Sequence, residues 1–171
     1  MQTERTLTNT TDVTEEEIMA SQAVNEDYNG SGWDRGHLNP SGQHNSLINR
    51  NATFTLTNAV PMNLSLNRGQ WRIYEQKTMY NKTENCPTTY VIVGAVPGNS
   101  SISQNRVNVP SHIWASACCK TTNNTMIAWG AIAENNKNKV DVLNLGELER
   151  NLTRLYKSGA VSLFHGDCPR T

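Results

Sequence analysis

The segment WDRGHLNP, residues 33–40, decides how the rest of this sequence is interpreted. Arg35 carries a permanent, planar positive charge that matches two phosphate oxygens. His37 has the side chain best suited to taking a proton from water near neutral pH. Gly36 lets the backbone turn tightly, so we expect both side chains to face one phosphate, with Asp34 orienting one of them. The alternative is a surface turn in which the arginine and the histidine occur by chance.

A second polar region follows, with TNAVP at residues 57–61 and NRGQW at residues 67–71, and then Glu75. The amide oxygen of Asn67 is a hard, neutral ligand that suits Mg²⁺, an ion that keeps most of its waters. On an α-helix the Cα atoms of Asn67 and Glu75 would lie about 12 Å apart along the axis and about 80° apart around it. Glu75 would then hold a metal-bound water and not the ion itself. The alternative is that Asn67 caps a helix and Glu75 is a solvated charge.

Three segments together resemble the DNA/RNA non-specific endonuclease family, whose sites have a ββα-metal arrangement. They are WDRGHLNP, ATFTLTNAVP at residues 52–61 and LNRGQWRIYE at residues 66–75. The later segments YVIVGAVPG and NRVNVPSHIW resemble more specifically the endonuclease domain-containing 1-like subfamily of fishes. The resemblance covers about residues 20–168.

The resemblance implies a role for each matching residue. His37 is the general base that activates water, and Arg35 stabilises the charge on phosphorus. Asn67 is the direct protein ligand of Mg²⁺, for which Mn²⁺ could substitute, and Glu75 acts through a metal-bound water. The metal stabilises the leaving 3′ oxygen, so the products carry 5′ phosphates, and the substrates are DNA, RNA or both, with little base selectivity.

Five further residues are expected to support this site or its substrate. Arg68 and Arg72 lie four apart on the expected helix and either contact neighbouring phosphates or form a solvated face. Asp34, Gly36 and Asn58 are expected to be supporting residues.

Two features depart from the family pattern. Met62 stands where the family usually has glutamine, which removes a polar group from the expected edge of the site. Family members also carry a further N-terminal region with core strands, so we expect a truncated chain with one open sheet edge. The predicted organisation is a flexible segment over residues 1–20 and a single nuclease-like domain over residues 21–171.

The composition restricts the setting in which this chain works. Fifteen Lys and Arg balance fifteen Asp and Glu, so no general electrostatic attraction for nucleic acid is expected. The apolar runs are short, with seven residues over 90–96, whereas a membrane span needs about 20. The N-terminus has no apolar signal segment. Cys86, Cys118, Cys119 and Cys168 allow two disulfides in three connectivities, or four reduced thiols in an intracellular protein.

Asn-x-Ser/Thr sequons point outside the cell and, with the cysteines, predict a secreted glycoprotein whose signal peptide is absent from this chain. They start at Asn9, Asn29, Asn51, Asn63, Asn81, Asn99, Asn123 and Asn151.

The hydrophobic pattern predicts an α+β domain around an antiparallel sheet flanked by helices. Thr14 and Glu17 are predicted to cap a helix over residues 15–23. Further helices are predicted over residues 67–80 and 145–155. Strands are predicted over residues 53–57, ended by Pro61, over 90–96 as a buried central strand, and over 112–118, 125–133 and 161–164.

Three functions fit the sequence. The first is a Mg²⁺-dependent endonuclease without sequence specificity. The second is a secreted binding module that keeps the nuclease fold without activity. The third is an intracellular ββα-metal nuclease of the mitochondrial type, against which the sequons and cysteines argue. The sequence assigns neither a preference between DNA and RNA nor an oligomeric state.

Overall fold

Within residues 12–171, the chain forms three antiparallel sheets, and two of its helices cover the largest sheet. The computed structural model describes residues 12–171, so the sequon at Asn9 and most of the predicted flexible segment 1–20 lie outside the described residues. The strands are β1 Asp34–His37, β2 Ala59–Met62, β3 Thr89–Val96, β4 Ser100–Ile102, β5 Val107–Val109, β6 His112–Lys120, β7 Met126–Glu134 and β8 Asp141–Leu143. The sheets have the orders β1-β2, β3-β6-β7-β8 and β4-β5.

The described helices lie before, between and after these strands. They are α1 Glu15–Ser21, α2 Asn25–Tyr28, α3 Leu47–Ala52, α4 over residues 64–83 and α5 Leu145–Tyr156. Single 3₁₀ turns occupy Ser41–Gln43 and Leu56–Asn58. None of these helices is long and apolar enough to cross a membrane. The predicted α+β class with an antiparallel sheet is confirmed.

Helices α4 and α5 cover opposite faces of the four-stranded sheet. Alternate residues of a strand point to opposite faces. Ile113 of β6 packs with Trp71 of α4, whereas Trp114 packs with Leu148 and Leu152 of α5. The helix predicted over residues 145–155 is confirmed, with Asn144 as its N-cap.

Two disulfides connect strand β6 to distant parts of the chain. Cys119 pairs with Cys86, which follows α4, and Cys118 pairs with Cys168 near the C-terminus. Because adjacent strand residues point in opposite directions, one bridge lies on each face of the sheet. All four cysteines are therefore cross-linked.

The predicted strand over residues 53–57 is wrong. The segment is a turn followed by the 3₁₀ turn Leu56–Asn58. The hydroxyl groups of Thr53 and Thr55 donate to the carbonyls of Arg50 and Ala52. Such local side-chain bonds compete with extended backbone.

Two further strand predictions are corrected. Residues 161–164 form no strand, because Val161 N and Leu163 N donate to side chains of α5. Pro61 lies within β2, where it pairs with Arg35, and does not end a strand. A proline is tolerated there because both strands of a two-stranded sheet are edge strands.

Strand β3 lies at an edge of its sheet, not at the predicted central position. It pairs with β6 on one side and with no described strand on the other. Tyr90, expected in the core, is 69% exposed, and Val91 is also exposed. Among the described residues, strand β3 is therefore an unpaired edge of the four-stranded sheet.

Candidate active site

The DRGH tetrapeptide forms strand β1 in the two-stranded sheet, paired antiparallel with β2. The tight turn expected at Gly36 is wrong, because this residue is extended and pairs with Val60. Strand alternation still places Arg35 and His37 on one face of β1. Gly36 is buried on the other face, where an added Cβ would lie 2.5 Å from Cβ of Met62. A glycine is thus required by packing, and Met62 lies in the core and not at the edge of the site.

The His37 imidazole is half-buried at the end of β1. Burial lowers the pKa of His37 below its ordinary value of 6.5. Its ring packs perpendicular to that of Phe54, with 4.9 Å between the ring centroids. At neutral pH the ring is uncharged and can accept a proton.

The Arg35 guanidinium is held by residues of α2 and the loop that follows. Its Nη2 donates to Asn25 O at 2.9 Å and to Asn29 Oδ1 at 3.3 Å. The guanidinium carbon lies 5.1 Å from the centre of the Tyr28 ring, which is a cation–π contact. Because Arg35 remains exposed, these contacts orient a cation that can still bind a ligand.

The expectation that Asp34 orients Arg35 or His37 is wrong. Strand alternation points Asp34 to the other face of β1, toward α4. Its carboxylate accepts from Nε and Nη2 of Arg68 at 2.8 Å and 2.7 Å. The hydrogen bond from Arg68 lowers the pKa of Asp34. Both Arg68 and Arg72 are exposed, but the charge of Arg68 is compensated by this carboxylate.

Asn67 is oriented by the same carboxylate. Its Nδ2 donates to Asp34 Oδ2 at 3.0 Å. Its amide oxygen accepts no hydrogen bond from residues 12–171 and is available to a ligand. A neutral amide oxygen with this freedom fits Mg²⁺.

Helix α4 is not a regular α-helix between Asn67 and Glu75. Asn67–Trp71 and Tyr74–Thr78 form π-helical turns, and Gly69 has non-helical angles of φ −108° and ψ −113°. At this kink Gln70 N donates to Asn138 Oδ1 at 2.8 Å. The axial separation of about 12 Å expected for the Cα atoms of Asn67 and Glu75 on a regular α-helix therefore does not apply.

Glu75 carries a half-buried carboxyl without a cationic partner among the described residues. Burial raises the pKa of Glu75 to about 7, opposed only by the nearby Trp71 indole. Glu75 shares a small cavity with Leu38, the residue after His37, and lines a groove of about 830 Å³. An uncompensated carboxylate beside the end of β1 fits a bound cation or its waters.

The described residues contain no group of three or more His, Cys, Asp or Glu that could hold a metal ion. Asn67 and Glu75 are the groups at this site that fit one. The structure brings Asp34, Asn67 and Arg68 into direct contact, and it places His37 and Arg35 on the opposite face of β1.

Buried Asn58 connects β1 to the loop before β2. Its Nδ2 donates to the carbonyls of Asn39 and Thr53, and its Oδ1 accepts from Asn39 N. The expected supporting position of Asn58 thus has a structural basis, which is to tie the chain after His37 to the segment that ends at Thr53.

Sequence reasoning did not identify Phe54, Tyr28 or Asn138 as parts of the site. Phe54 lies within segment 52–61, whose resemblance to the family could have marked this residue as part of the site. Tyr28 contacts Arg35, and Asn138 contacts the α4 kink. The tertiary fold creates both contacts, so no local sequence pattern predicts them.

A β-hairpin-like strand pair followed by a helix, with a histidine on the first strand and an asparagine on the helix, defines a ββα-metal nuclease fold. A solved structure of EndoG in complex with EndoGI shares this fold, with a TM-score of 0.69 and 22% identity. That match covers 86% of this chain and 65% of the other.

The sequence profile of the DNA/RNA non-specific endonuclease family matches residues 13–163, and the chain belongs to this family. It is 31% identical over 162 residues to mitochondrial nuclease EXOG of Mus musculus, covering 85% of this chain and 43% of that protein. It is 34% identical over 104 residues to the endonuclease domain-containing 1 protein of Homo sapiens, covering 58% of this chain and 20% of that protein. The chain thus spans less than half the length of either relative.

Proposed function

We propose that this chain is a Mg²⁺-dependent endonuclease that hydrolyses phosphodiester bonds of DNA and RNA without sequence specificity. The single observation that carries the proposal is the shared face of β1, where neutral His37 lies beside solvent-exposed Arg35. A base and a fixed cation on one face are what hydrolysis of a phosphodiester needs.

In the proposed reaction His37 takes one proton from a water molecule as the water oxygen bonds to phosphorus. The bond from phosphorus to the 3′ oxygen breaks with its electron pair on that oxygen, which takes a proton from solvent water. The products are a 5′ phosphate and a 3′ hydroxyl, and His37 then releases its proton to solvent. Arg35 stabilises the extra negative charge on the phosphoryl oxygens, and its contacts with Asn25 and Tyr28 fix its position beforehand.

Asn67 Oδ1 and, through water, Glu75 would hold the metal ion, and Mn²⁺ could replace Mg²⁺. When bound, the ion would supply charge stabilisation at the leaving oxygen. Asp34 contributes by fixing the Asn67 amide so that its oxygen is free for the ion. Arg72 is the better candidate for a neighbouring phosphate, because Arg68 is paired with Asp34.

The two disulfides and the sequons support an extracellular setting for this activity, although the relatives include mitochondrial nucleases. Intact-mass analysis of protein secreted from eukaryotic cells tests that setting. Cross-linked cysteines and removable glycans are expected. Four free thiols and unmodified asparagines would contradict it.

The chemistry of the cut ends tests the proposed reaction. We expect nicked duplex DNA made with Mg²⁺ to be sealed by ligase without prior phosphorylation, because the ends would be 5′ phosphate and 3′ hydroxyl. EDTA should abolish nicking. Nicks that ligate only after kinase treatment would contradict the proposed bond cleavage. Binding of DNA without nicking by folded protein would favour the inactive binding module.

A further inference from the structure

The aromatic ring of Phe54, beside the proposed general base His37, is exposed and has no part in the proposed reaction. The Phe54 side chain is 57% exposed, although its ring centroid lies 4.9 Å from that of His37, with an angle of 87° between the ring planes. Exposing apolar area to water costs free energy. A phenyl ring that served only to pack against His37 would therefore be expected to be covered by other residues. Its exposed surface is therefore available to a ligand that reaches His37.

The position of Phe54 is fixed by hydrogen bonds of the backbone around it. Its amide donates to Asn51 O at the end of α3. The preceding residue, Thr53, is buried, and its carbonyl accepts from Asn58 Nδ2 at 2.8 Å. The same Nδ2 donates at 2.9 Å to Asn39 O, two residues after His37. Asn58 thus holds the ring and the imidazole in one arrangement.

We propose that Phe54 is a specificity-determining residue that stacks on the nucleobase next to the phosphate attacked at His37. This inference rests on the proposed function. A nucleobase is the flat apolar group adjacent to a phosphodiester. It is therefore the group that can reach the Phe54 ring, which contacts the imidazole of His37. Aromatic stacking accepts every base because each has a π face. The contact would therefore favour nucleic acid over other phosphodiesters without selecting a sequence.

The test uses two oligonucleotides with a single cleavable phosphodiester, flanked by thymines in one and by abasic residues in the other. We expect Phe54→Leu to lower kcat/KM on the thymine substrate by roughly ten- to a hundredfold, mainly through KM. Cleavage of the abasic substrate should change little, and its pH profile should keep the wild-type acid limb. Phe54→Tyr, which keeps an aromatic face, should cleave the thymine substrate with a kcat/KM close to that of the wild-type protein.

Tyr90→Leu is the matched control, because it removes another exposed aromatic ring, from β3 and outside the site. Tyr90→Leu should leave the cleavage rates of both the thymine and the abasic substrate unchanged. Equal losses on both substrates in Phe54→Leu would overturn the inference, since the phenyl ring would then act through His37. Undiminished cleavage of the thymine substrate would overturn it as well. A wild-type protein that cleaves neither substrate would remove the proposed function, and this inference with it.

Discussion

In the proposed reaction, burial prepares the single side chain of His37 for proton transfer. Its ring is half-buried at the end of β1 and faces Phe54, while the nearby Arg35 charge is engaged with Asn25 and Tyr28. Desolvation disfavours the charged imidazolium, so the neutral base persists to lower pH than in a free histidine. Asp34, which the motif predicts to orient one of these two side chains, instead accepts hydrogen bonds from Asn67 and Arg68.

The pH dependence of cleavage follows from the state of His37. The base works in its neutral form, so kcat/KM should fall as pH drops through the pKa of His37. Because burial lowers that pKa below 6.5, we expect the midpoint of the acid limb below 6.5 at saturating Mg²⁺. Saturating Mg²⁺ is needed because the cation would keep the Glu75 carboxylate, whose pKa is raised to about 7, in its charged form. Initial rates across the acid range on an oligonucleotide substrate measure it. A midpoint well above 6.5 would assign the limb to another group.

At the scale of elements, the strands and helices with strong patterns were predictable. The apolar runs at residues 112–118 and 125–133 form β6 and β7, and leucine spacing predicts α5. Pairing partners were not predictable, because a local pattern does not say which strand lies at an edge, as β3 shows. The α4 kink likewise depends on Asn138, far away in sequence.

The packing of β1 on β2 makes Gly36 sensitive to substitution. In Gly36→Ala the new methyl group would lie 2.5 Å from Met62 Cβ, so Met62 or β1 must shift. We expect the free energy of unfolding to fall by about 1–3 kcal/mol, which is usual for overpacking. Urea unfolding measures it, with Gly42→Ala as control, where nothing lies within 4 Å of the added Cβ. Similar midpoints for the two variants would contradict the packing described.

The disulfide between Cys118 and Cys168 closes the longer of the two loops, with a sequence separation of 50 residues. Chain-entropy arguments give such a link about 4 kcal/mol, since it restricts the unfolded chain. We expect the double variant C118A/C168A to lose roughly that stability in urea unfolding. The variant C86A/C119A, with a separation of 33, should lose slightly less. A wild-type protein with free thiols would show that these bridges do not form.

For the whole molecule, the class and fold followed from the sequence because three segments matched one family, and the fold match agrees. The arrangement within the site did not follow. The Asp34–Arg68 pair, the strand conformation of the DRGH tetrapeptide and the exposed ring of Phe54 all arise from contacts between distant segments. Sequence spacing alone carries no information about such contacts.

The balanced net charge limits how strongly salt affects binding. With no excess of basic residues, the proposed function relies on phosphate contacts from Arg35, Arg72 and, in part, Arg68. We expect the logarithm of the DNA affinity to fall with the logarithm of salt concentration with a slope of at most about three. Fluorescence anisotropy of a labelled duplex in EDTA measures it. A much steeper slope would reveal an extensive basic surface.

The central claim is that His37 is the base of a metal-dependent nuclease, and plasmid nicking by matched histidine variants tests it most directly. His165→Ala is the control, because that imidazole is highly exposed and its hydrogen-bonding contacts lie near the C-terminus, away from β1. With Mg²⁺ we expect the wild-type protein and His165→Ala to nick, and folded His37→Ala to lose activity by at least about a hundredfold. Nicking by His37→Ala at the wild-type rate would contradict the assignment of His37 as the base.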